Sequence, residues 1–352
     1  MLKFKGNEMM NVLFIVTKKW GRNYTGATLA TQYFVDRWAS RFDRVVVFTL
    51  EIGNYDNTKR NISALKCKSE QELLLALKEE ENRCDSSIVG YSDDHLGYLL
   101  KKANIPYIHT YHGNWPDARW VNVEFFIKSF YFMPLYKRTI RNAEAVANVS
   151  IYMENFTKRY NSKSILIRNG MDFKPCEADR CYPKTYLMVG NIDTRKYKNA
   201  FRLAKYIYDI DPQVRINIYG KAIDKNVAKR LEKMPNVSLM GKHSIISYGS
   251  YCGLINVSEI ENLSISVCEA IKSDIPVFCF NIGGLPEVVK KDETGYTFPK
   301  RDYKRMAQKL VDYACDENKM RVDKSVLDPF DWNVAAKKYM TLFEEIMKDT
   351  TK

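Results

Sequence analysis

Short apolar, β-branched runs recur along this chain at intervals long enough for a helix, and they fall into two series. The first comprises NVLFIV at 11–16, RVVVFTL at 44–50, SSIVGY at 86–91, PYIHTYH at 106–112, AVANVS at 145–150 and KSILIR at 163–168. The second comprises TYLMVG at 185–190, RINIYG at 215–220, VSLMG at 237–241, GLINVS at 253–258 and PVFCF at 276–280. Runs of this kind are strands buried on both faces, and helices between them imply parallel sheets with crossover connections. Ala27, Ala30, Phe34 and Trp38 share one helical face between the first two runs. The expected fold is α/β: two Rossmann-like doubly wound parallel-sheet domains facing a cleft, each with its ligand edge at the carboxyl ends of its strands. The polar stretch MDFKPCEADRCYPK, 171–184, contains two prolines and reads as the linker. At 352 residues the chain is long enough for two cores, because a single core rarely grows beyond about 250 to 300 residues.

The last loop region carries the chemistry. In SEIENLSISVCEAIKSDIPVFCFNIGGLPEVV, Glu261 sits in a polar loop after an apolar run and Glu269 lies inside a short helix expected to start near Ser264. A helix start presents unpaired N–H groups and partial positive charge, which suits phosphate. Helix side chains tilt back toward that end, so Glu269 can reach a ligand bound there. Carboxylates accept hydrogen bonds and donate none, which suits vicinal hydroxyls. Phosphate in the middle with a sugar at each end describes a nucleotide sugar.

The segment resembles the signature of retaining glycosyltransferases of family 4, which have the GT-B fold. The matching elements are Glu261, Glu269-Ala270, Pro276-Val277, Gly283-Gly284 and Pro286-Glu287. The resemblance extends over nearly the whole chain, through NVLFIVTKKWGRNYTGATLA, IPYIHTYHG, AEAVANVS, IRNGMDFK, YLMVGNIDTRKYKN and the closing FDWNVAAKKYMTLFEEI. It implies an acceptor-side domain at 1–172 completed by a returning helix at 331–352, and a nucleotide-sugar-binding domain at 173–330. It also implies that Glu269 binds the ribose hydroxyls, that Glu261 orients the transferred sugar, and that N–H groups near Asn262, Leu263 and Ser264 meet the diphosphate. His112, at the carboxyl end of its strand beside Gly113, is placed against the transferred sugar. In the family, an arginine after the strand and its glycine, and a lysine about five residues on, neutralise the leaving diphosphate. Here Asn191 stands in place of the arginine, Lys196 has the lysine spacing, and Arg195 and Lys198 are candidates for the missing charge.

Other motifs have competing readings. Gly21 and Gly26 have P-loop spacing, but Ala27 stands where that motif requires lysine. Gly26 then lets the backbone approach the donor at the start of the first helix, and Gly21 makes a tight turn. His109 and His112 are three apart on a strand and point to opposite faces, so no metal site is expected, and His109 reads as a satisfied core residue or one that supports the site from behind. The stretch 120–143 mixes aromatics with Lys128, Lys137, Arg138 and Arg141. It reads first as a core helix pair broken by Pro134, and second as a basic, aromatic stretch in a membrane interface.

The net charge of +13 calls for an anionic partner, which donor, acceptor, membrane face or nucleic acid would each satisfy. No nucleic-acid motif is present, so none is expected as partner. Eight cysteines without a CxxC pair, no signal-like start and no apolar run of spanning length point to a cytoplasmic enzyme, at most peripheral on the inner membrane face. The leading MLKFKGNEM matches nothing in the strand pattern. The expected function is a retaining, metal-independent transfer of a sugar from a nucleoside-diphosphate donor, with UDP as the class-level choice, to a hydroxyl on a glycan, lipid-linked or protein acceptor. No cofactor is expected. Rival readings are a nucleotide-sugar epimerase or phosphorylase on the same fold, or a non-catalytic protein that binds nucleotide sugar or nucleic acid.

Overall fold

The computed structural model describes residues 10–24, 26–55, 61–113, 115–176, 181–317 and 320–350. The leading nonapeptide and residues 177–180 of the expected linker lie outside that set. The chain divides into two compact units: 1–116 with 127–171 and 330–352, and 117–126 with 172–329.

The first unit contains, in chain order, β1 (Met10–Trp20), α1 (Ala27–Trp38), β2 (Phe42–Ile52), β3 (Ile62–Lys66), α2 (Glu70–Asn82), β4 (Ile88–Ser92), α3 (Tyr98–Lys102), β5 (Tyr107–Tyr111), α4 (Val123–Asn142, its first turn grouped with the second unit), β6 (Ala145–Asn148), α5 (Ile151–Thr157) and β7 (Ser164–Leu166). All seven strands pair in parallel in the order β3-β2-β1-β4-β5-β6-β7. The order reverses between β1 and β4, the switch point where a doubly wound sheet opens a crevice. One face of the sheet buries Leu13, Ile15, Val45, Val47 and Ile108 against Phe34, Val35 and Trp38 of α1. The other buries Phe14, Val16, Val46 and Phe48 against Leu73 and Leu77 of α2. β1 and β2 are therefore apolar on both sides, which is why their sequences do not alternate.

The second unit contains β8 (Thr185–Val189), α6 (Thr194–Tyr197), α7 (Ala200–Ile210), β9 (Arg215–Tyr219), α8 (Lys225–Glu232), β10 (Val237–Gly241), β11 (Leu254–Asn256), α9 (Ile265–Lys272), β12 (Val277–Phe280), α10 (Leu285–Val288), β13 (Gly295–Phe298) and α11 (Tyr303–Cys315). Its parallel sheet has the order β10-β9-β8-β11-β12-β13. The last helix, α12 (Trp332–Thr350), belongs to the first unit. There Trp332 stacks on Tyr33 at 4.8 Å, Tyr339 meets Phe34 and Trp38 edge-on, and Phe343 packs on Trp38 and Phe42. Offset and edge-to-face pairs of this kind contribute beyond their buried area.

Three sequence expectations differ from the structure. Pro134 does not break the stretch after 120 into a helix pair, because α4 runs through it as one helix of 20 residues. A proline removes one backbone donor and crowds one preceding carbonyl, a local cost that the rest of a long helix can absorb. Residues 117–126 group with the second unit, although a boundary at 172 assigns them to the first. Two strands, β3 and β13, have no counterpart among the expected runs. No helix among the described residues is long and apolar enough to cross a membrane.

Candidate functional site

The carboxyl edge of the second sheet gathers most of the expected donor residues. α9 begins at Ile265 with Ser264 as N-cap, one residue from the expected start. The Ser264 hydroxyl makes no capping bond and pairs instead with Ser266 Oγ at 3.0 Å. The first-turn N–H groups thus receive no acceptor from the cap side chain, which leaves the helix start suited to an external anion. Asn262 and Ser264 are buried at this point and Leu263 is half-buried.

Glu261 faces a cation. Lys196 Nζ lies 3.7 Å from Glu261 Oε2, an oxygen that is buried and has no hydrogen-bond partner among the described residues. The lysine amine also lies over Gly190, where an added Cβ would stand 2.9 Å from Nζ. Gly190, at φ +137°, ends β8 in a conformation other residues rarely adopt. Gly283 explains the double glycine of the motif. A Cβ there would fall 1.6 Å from the Glu261 carbonyl, its φ is +53°, and Gly284 N–H donates to Asn262 O at 2.7 Å. The glycine pair lets one loop lie directly on the backbone that carries Glu261.

Glu269 accepts a hydrogen bond from Tyr248 Oη at 2.6 Å, and Phe173 packs edge-on against that tyrosine. Burial raises the Glu269 carboxyl above its usual range while the tyrosine bond works the other way. The remaining acceptor capacity of this carboxylate is what a diol would use.

The other candidate cations are engaged elsewhere. Asp193 caps α6 by accepting from the N–H groups of Arg195 and Lys196, and its other oxygen takes the Arg195 guanidinium at 2.8 Å. Lys198 Nζ donates to Val121 O at 2.8 Å, and Asn191 is exposed. Of the four residues around the substituted position, Lys196 alone meets Glu261.

A buried carboxylate beside this edge was not anticipated. Glu259 is 3% exposed, and its Oε2 receives Lys300 Nζ at 3.2 Å and Arg301 Nη2 at 2.9 Å. Burial works to raise its carboxyl, but the arginine and lysine bring it net below the usual range. Its N–H donates to Arg195 O at 2.6 Å, so it also fixes the loop bearing Arg195 and Lys196. Its signal was the sequence SEIE itself, where Glu259 and Glu261 leave the same strand end. Its partners Lys300 and Arg301 follow β13, which the strand pattern missed.

The first unit holds the remaining candidates. Gly26 caps α1 at φ +64° with open space where a Cβ would stand. Gly21 makes the expected close turn, its would-be Cβ 2.9 Å from the Gly53 backbone. His112 follows β5, half-buried, with Nε2 unpartnered among the described residues, and burial pushes its imidazole down to about 4. His109 is fully buried and pairs through Nδ1 with Ser92 Oγ at 2.9 Å, while its Nε2 has no partner among the described residues, so the ring is in the core but only half satisfied. Next to them at the same sheet edge, Asp93 is buried and accepts from Thr31 Oγ1 at 2.6 Å, while its second oxygen is unpartnered among the described residues. No group of three or more His, Cys, Asp or Glu among the described residues is placed to hold a metal ion.

The class that this fold and edge define is borne out by comparison. Residues 24–174 match the family described as Glycosyltransferase Family 4, and residues 183–316 match Glycosyl transferases group 1. The chain belongs to the glycosyltransferases of the GT-B fold, with one domain of each kind. Among curated proteins it is 28% identical over 213 residues to the sulfoquinovosyl transferase SQD2 of Arabidopsis thaliana, a match covering 57% of this chain and 39% of that protein. It thus spans about two fifths of that relative's length. It is 25% identical to an uncharacterized glycosyltransferase of Methanocaldococcus jannaschii, over 71% of this chain and 72% of that one. Among solved structures, sucrose-phosphate synthase from Thermosynechococcus elongatus shares the fold at TM-score 0.78 and 18% identity, covering 97% of this chain and 100% of that one. Anabaena HepE in complex with UDP-glucose does so at TM-score 0.74 and 14% identity, covering 96% and 100%.

Proposed function

We propose that this protein is a retaining, metal-independent glycosyltransferase that moves a sugar from a nucleoside-diphosphate donor to a hydroxyl acceptor. The observation that carries the reading is the Lys196–Glu261 pair beside a helix start whose cap side chain leaves it open. In the proposed complex the diphosphate lies at the start of α9, Lys196 neutralises its developing charge, and Glu269 accepts from the ribose hydroxyls. Glu261 then exchanges its partial pairing with Lys196 for the hydroxyls of the transferred sugar, which His112 also contacts. Asn262, Leu263 and Ser264 supply backbone to the phosphate. Arg195 or Lys198 joins it only after leaving Asp193 or Val121.

The reaction forms a bond from the acceptor oxygen to the anomeric carbon on the face the diphosphate leaves. The bond from that carbon to the diphosphate breaks, and the acceptor proton passes to a phosphate oxygen. Catalysis is then electrostatic, through donors and cations fixed where charge develops. UDP is the proposed nucleotide, because Anabaena HepE, which shares the fold, is known in complex with UDP-glucose. A glycan, lipid-linked or protein acceptor in polysaccharide or glycoconjugate synthesis, and a cytoplasmic site with peripheral membrane contact, complete the proposal. A donor screen that reports released nucleoside diphosphate, run with and without added acceptors, tests it. Release that depends on an acceptor supports transfer. Conversion of donor alone to an isomer assigns the fold to an epimerase, and binding without turnover assigns it to a non-catalytic role.

A further inference from the structure

Helix α4 has two unlike sides. Its buried residues, Ser129, Thr139 and Ile140, fall on one side, as the helical repeat requires. On the opposite side Ile127, Phe130, Pro134, Arg138 and Arg141 follow one another at spacings of three and four, a single stripe along the helix. The first part of that stripe is apolar and open to solvent: Ile127 is 64% exposed, Phe130 69% and the flanking Tyr131 53%. A folded surface scatters single apolar residues, but a contiguous patch marks something that covers it.

The second part of the stripe is cationic and pre-ordered. Arg138 and Lys102 both stand over the Tyr98 ring, at 5.2 and 5.1 Å from its centroid. Lys137 and Arg141 likewise lie 5.5 and 5.2 Å from the Tyr160 centroid. Rings attract cations and fix where they sit. The nearby anion is Glu70, which accepts from Tyr131 Oη at 2.9 Å and from Tyr98 Oη, at the border between the two parts.

We infer that this face of α4 docks on an anionic lipid bilayer, with Ile127, Phe130 and Tyr131 entering the headgroup boundary and Lys102, Lys137, Arg138 and Arg141 resting on anionic headgroups. The inference rests on the peripheral-membrane element of the proposed function and needs nothing from the donor chemistry. Apolar insertion beside cations is the arrangement by which helices lie on membranes, and each cation near an anionic surface contributes. A second copy of the chain covers the apolar half equally well. It brings a further +13 charge toward the first, which anionic headgroups do not.

The experiment is co-sedimentation of the full chain with phosphatidylcholine vesicles, with and without phosphatidylglycerol. Binding is expected only with the anionic lipid, and it should be released as salt shortens the reach of charge from about 10 Å at 0.1 M to about 3 Å at 1 M. Phe130→Glu, and separately the pair Arg138→Glu with Arg141→Glu, should each weaken binding about tenfold or more. These positions are exposed, and unchanged thermal melting of each variant shows it is folded. Equal binding to neutral vesicles, or none to anionic ones, overturns the inference. So does self-association of the wild type that Phe130→Glu abolishes, which assigns the face to a second copy. Calorimetry with UDP, run on the same samples, reports on the donor reading alone, so either reading can fail without the other.

Discussion

The two sheets end in edges that treat most of their buried titratable groups differently. At the carboxyl edge of the first, burial pushes the imidazoles of His95, His109 and His112 down to about 4, 3 and 4. Burial also raises the Asp93 and Asp94 carboxyls, Asp93 further through the charge of its neighbour. At the carboxyl edge of the second sheet, charges are kept and paired: Lys196 with Glu261, Arg195 with Asp193, Lys300 and Arg301 with Glu259. Desolvation that is not answered by a counter-ion favours neutral forms, and answered desolvation favours ions. Buried groups at the first edge are thus held toward neutral forms, with Lys19 and Glu51 pairing at 3.0 Å only in its half-exposed part, while Glu259 and Glu261 at the second keep cationic partners. In the proposed reading the neutral hydroxyl acceptor meets the first edge, and the anionic donor the second.

The largest expected effect breaks the charged edge at its centre. Losing one preorganised donor to developing charge costs about 10²- to 10³-fold in kcat, and Lys196→Ala should show that loss in a nucleoside-diphosphate release assay. Glu261→Ala should lower turnover as steeply while leaving affinity for the free diphosphate within about threefold, below roughly 0.7 kcal/mol. If Glu261→Ala abolishes nucleotide binding in a folded protein, the residue does not belong to the sugar. Glu269→Ala comes next. A hydrogen bond to a charged group contributes about 1.5 to 3 kcal/mol, so calorimetry should find UDP binding weakened about 10- to 100-fold. Unchanged affinity would detach Glu269 from the ribose.

Why these residues could be read from sequence, and others not, follows from where their partners lie. Most of the eleven apolar runs became strands because they are buried on both faces, and such runs announce themselves; β10, an edge strand with no fully buried residue, was legible from its apolar Val237, Leu239 and Met240 alone. β3 is an edge strand with three of its five residues exposed, so ISALK has no reason to be apolar throughout. β13 is four residues long, and three of them are half-buried. Missing it concealed Lys300 and Arg301, and with them the setting of Glu259. The glutamate pair was legible because its spacing is local to one loop and helix. The fate of Lys198 was not, since it depends on the Val121 carbonyl 77 residues away in the chain, whereas Asp193, two residues before Arg195, was a local signal left unread. The single helix through Pro134 was hidden for a simpler reason: a proline's local cost says nothing of the packing that outweighs it.

A test of the first edge follows from His112. Its imidazole titrates near 4 in the fold against about 6.5 in an unfolded chain, so between those values the unfolded state binds more protons. Stability from this group is full above pH 6.5 and lost as pH falls toward 4, at about 1.4 kcal/mol per unit. The raised Asp93 and Asp94 carboxyls act in the opposite direction, losing stability as pH rises from about 4, so the wild-type curve is a sum. Replacing the histidine isolates its part. Denaturant unfolding of His112→Asn at a series of pH values should give a shallower fall on the acid side than wild type. His112→Ala should also reduce kcat more than it weakens UDP binding, if the ring meets the sugar in the transition state. An unchanged acid slope would mean the ring is hydrated and charges freely, and equal loss of kcat and UDP affinity would make it scaffold.

The smallest expected effect is on the other edge, and it asks whether the stored charge suffices. A donor diphosphate needs cationic neutralisation, and many enzymes supply it with a divalent ion held by carboxylates. In the proposed reading Lys196, the start of α9 and any released arginine or lysine supply it instead. Excess EDTA should therefore change the release of nucleoside diphosphate by less than about twofold, against the 10²- to 10³-fold expected of Lys196→Ala. Loss of activity with EDTA, restored by Mn²⁺ or Mg²⁺, would mean that a metal shares the diphosphate with Lys196. The charged edge would then be complete only with an ion, and its contrast with the first edge would rest on Glu261 and Glu259 as carboxylates as much as on the lysine.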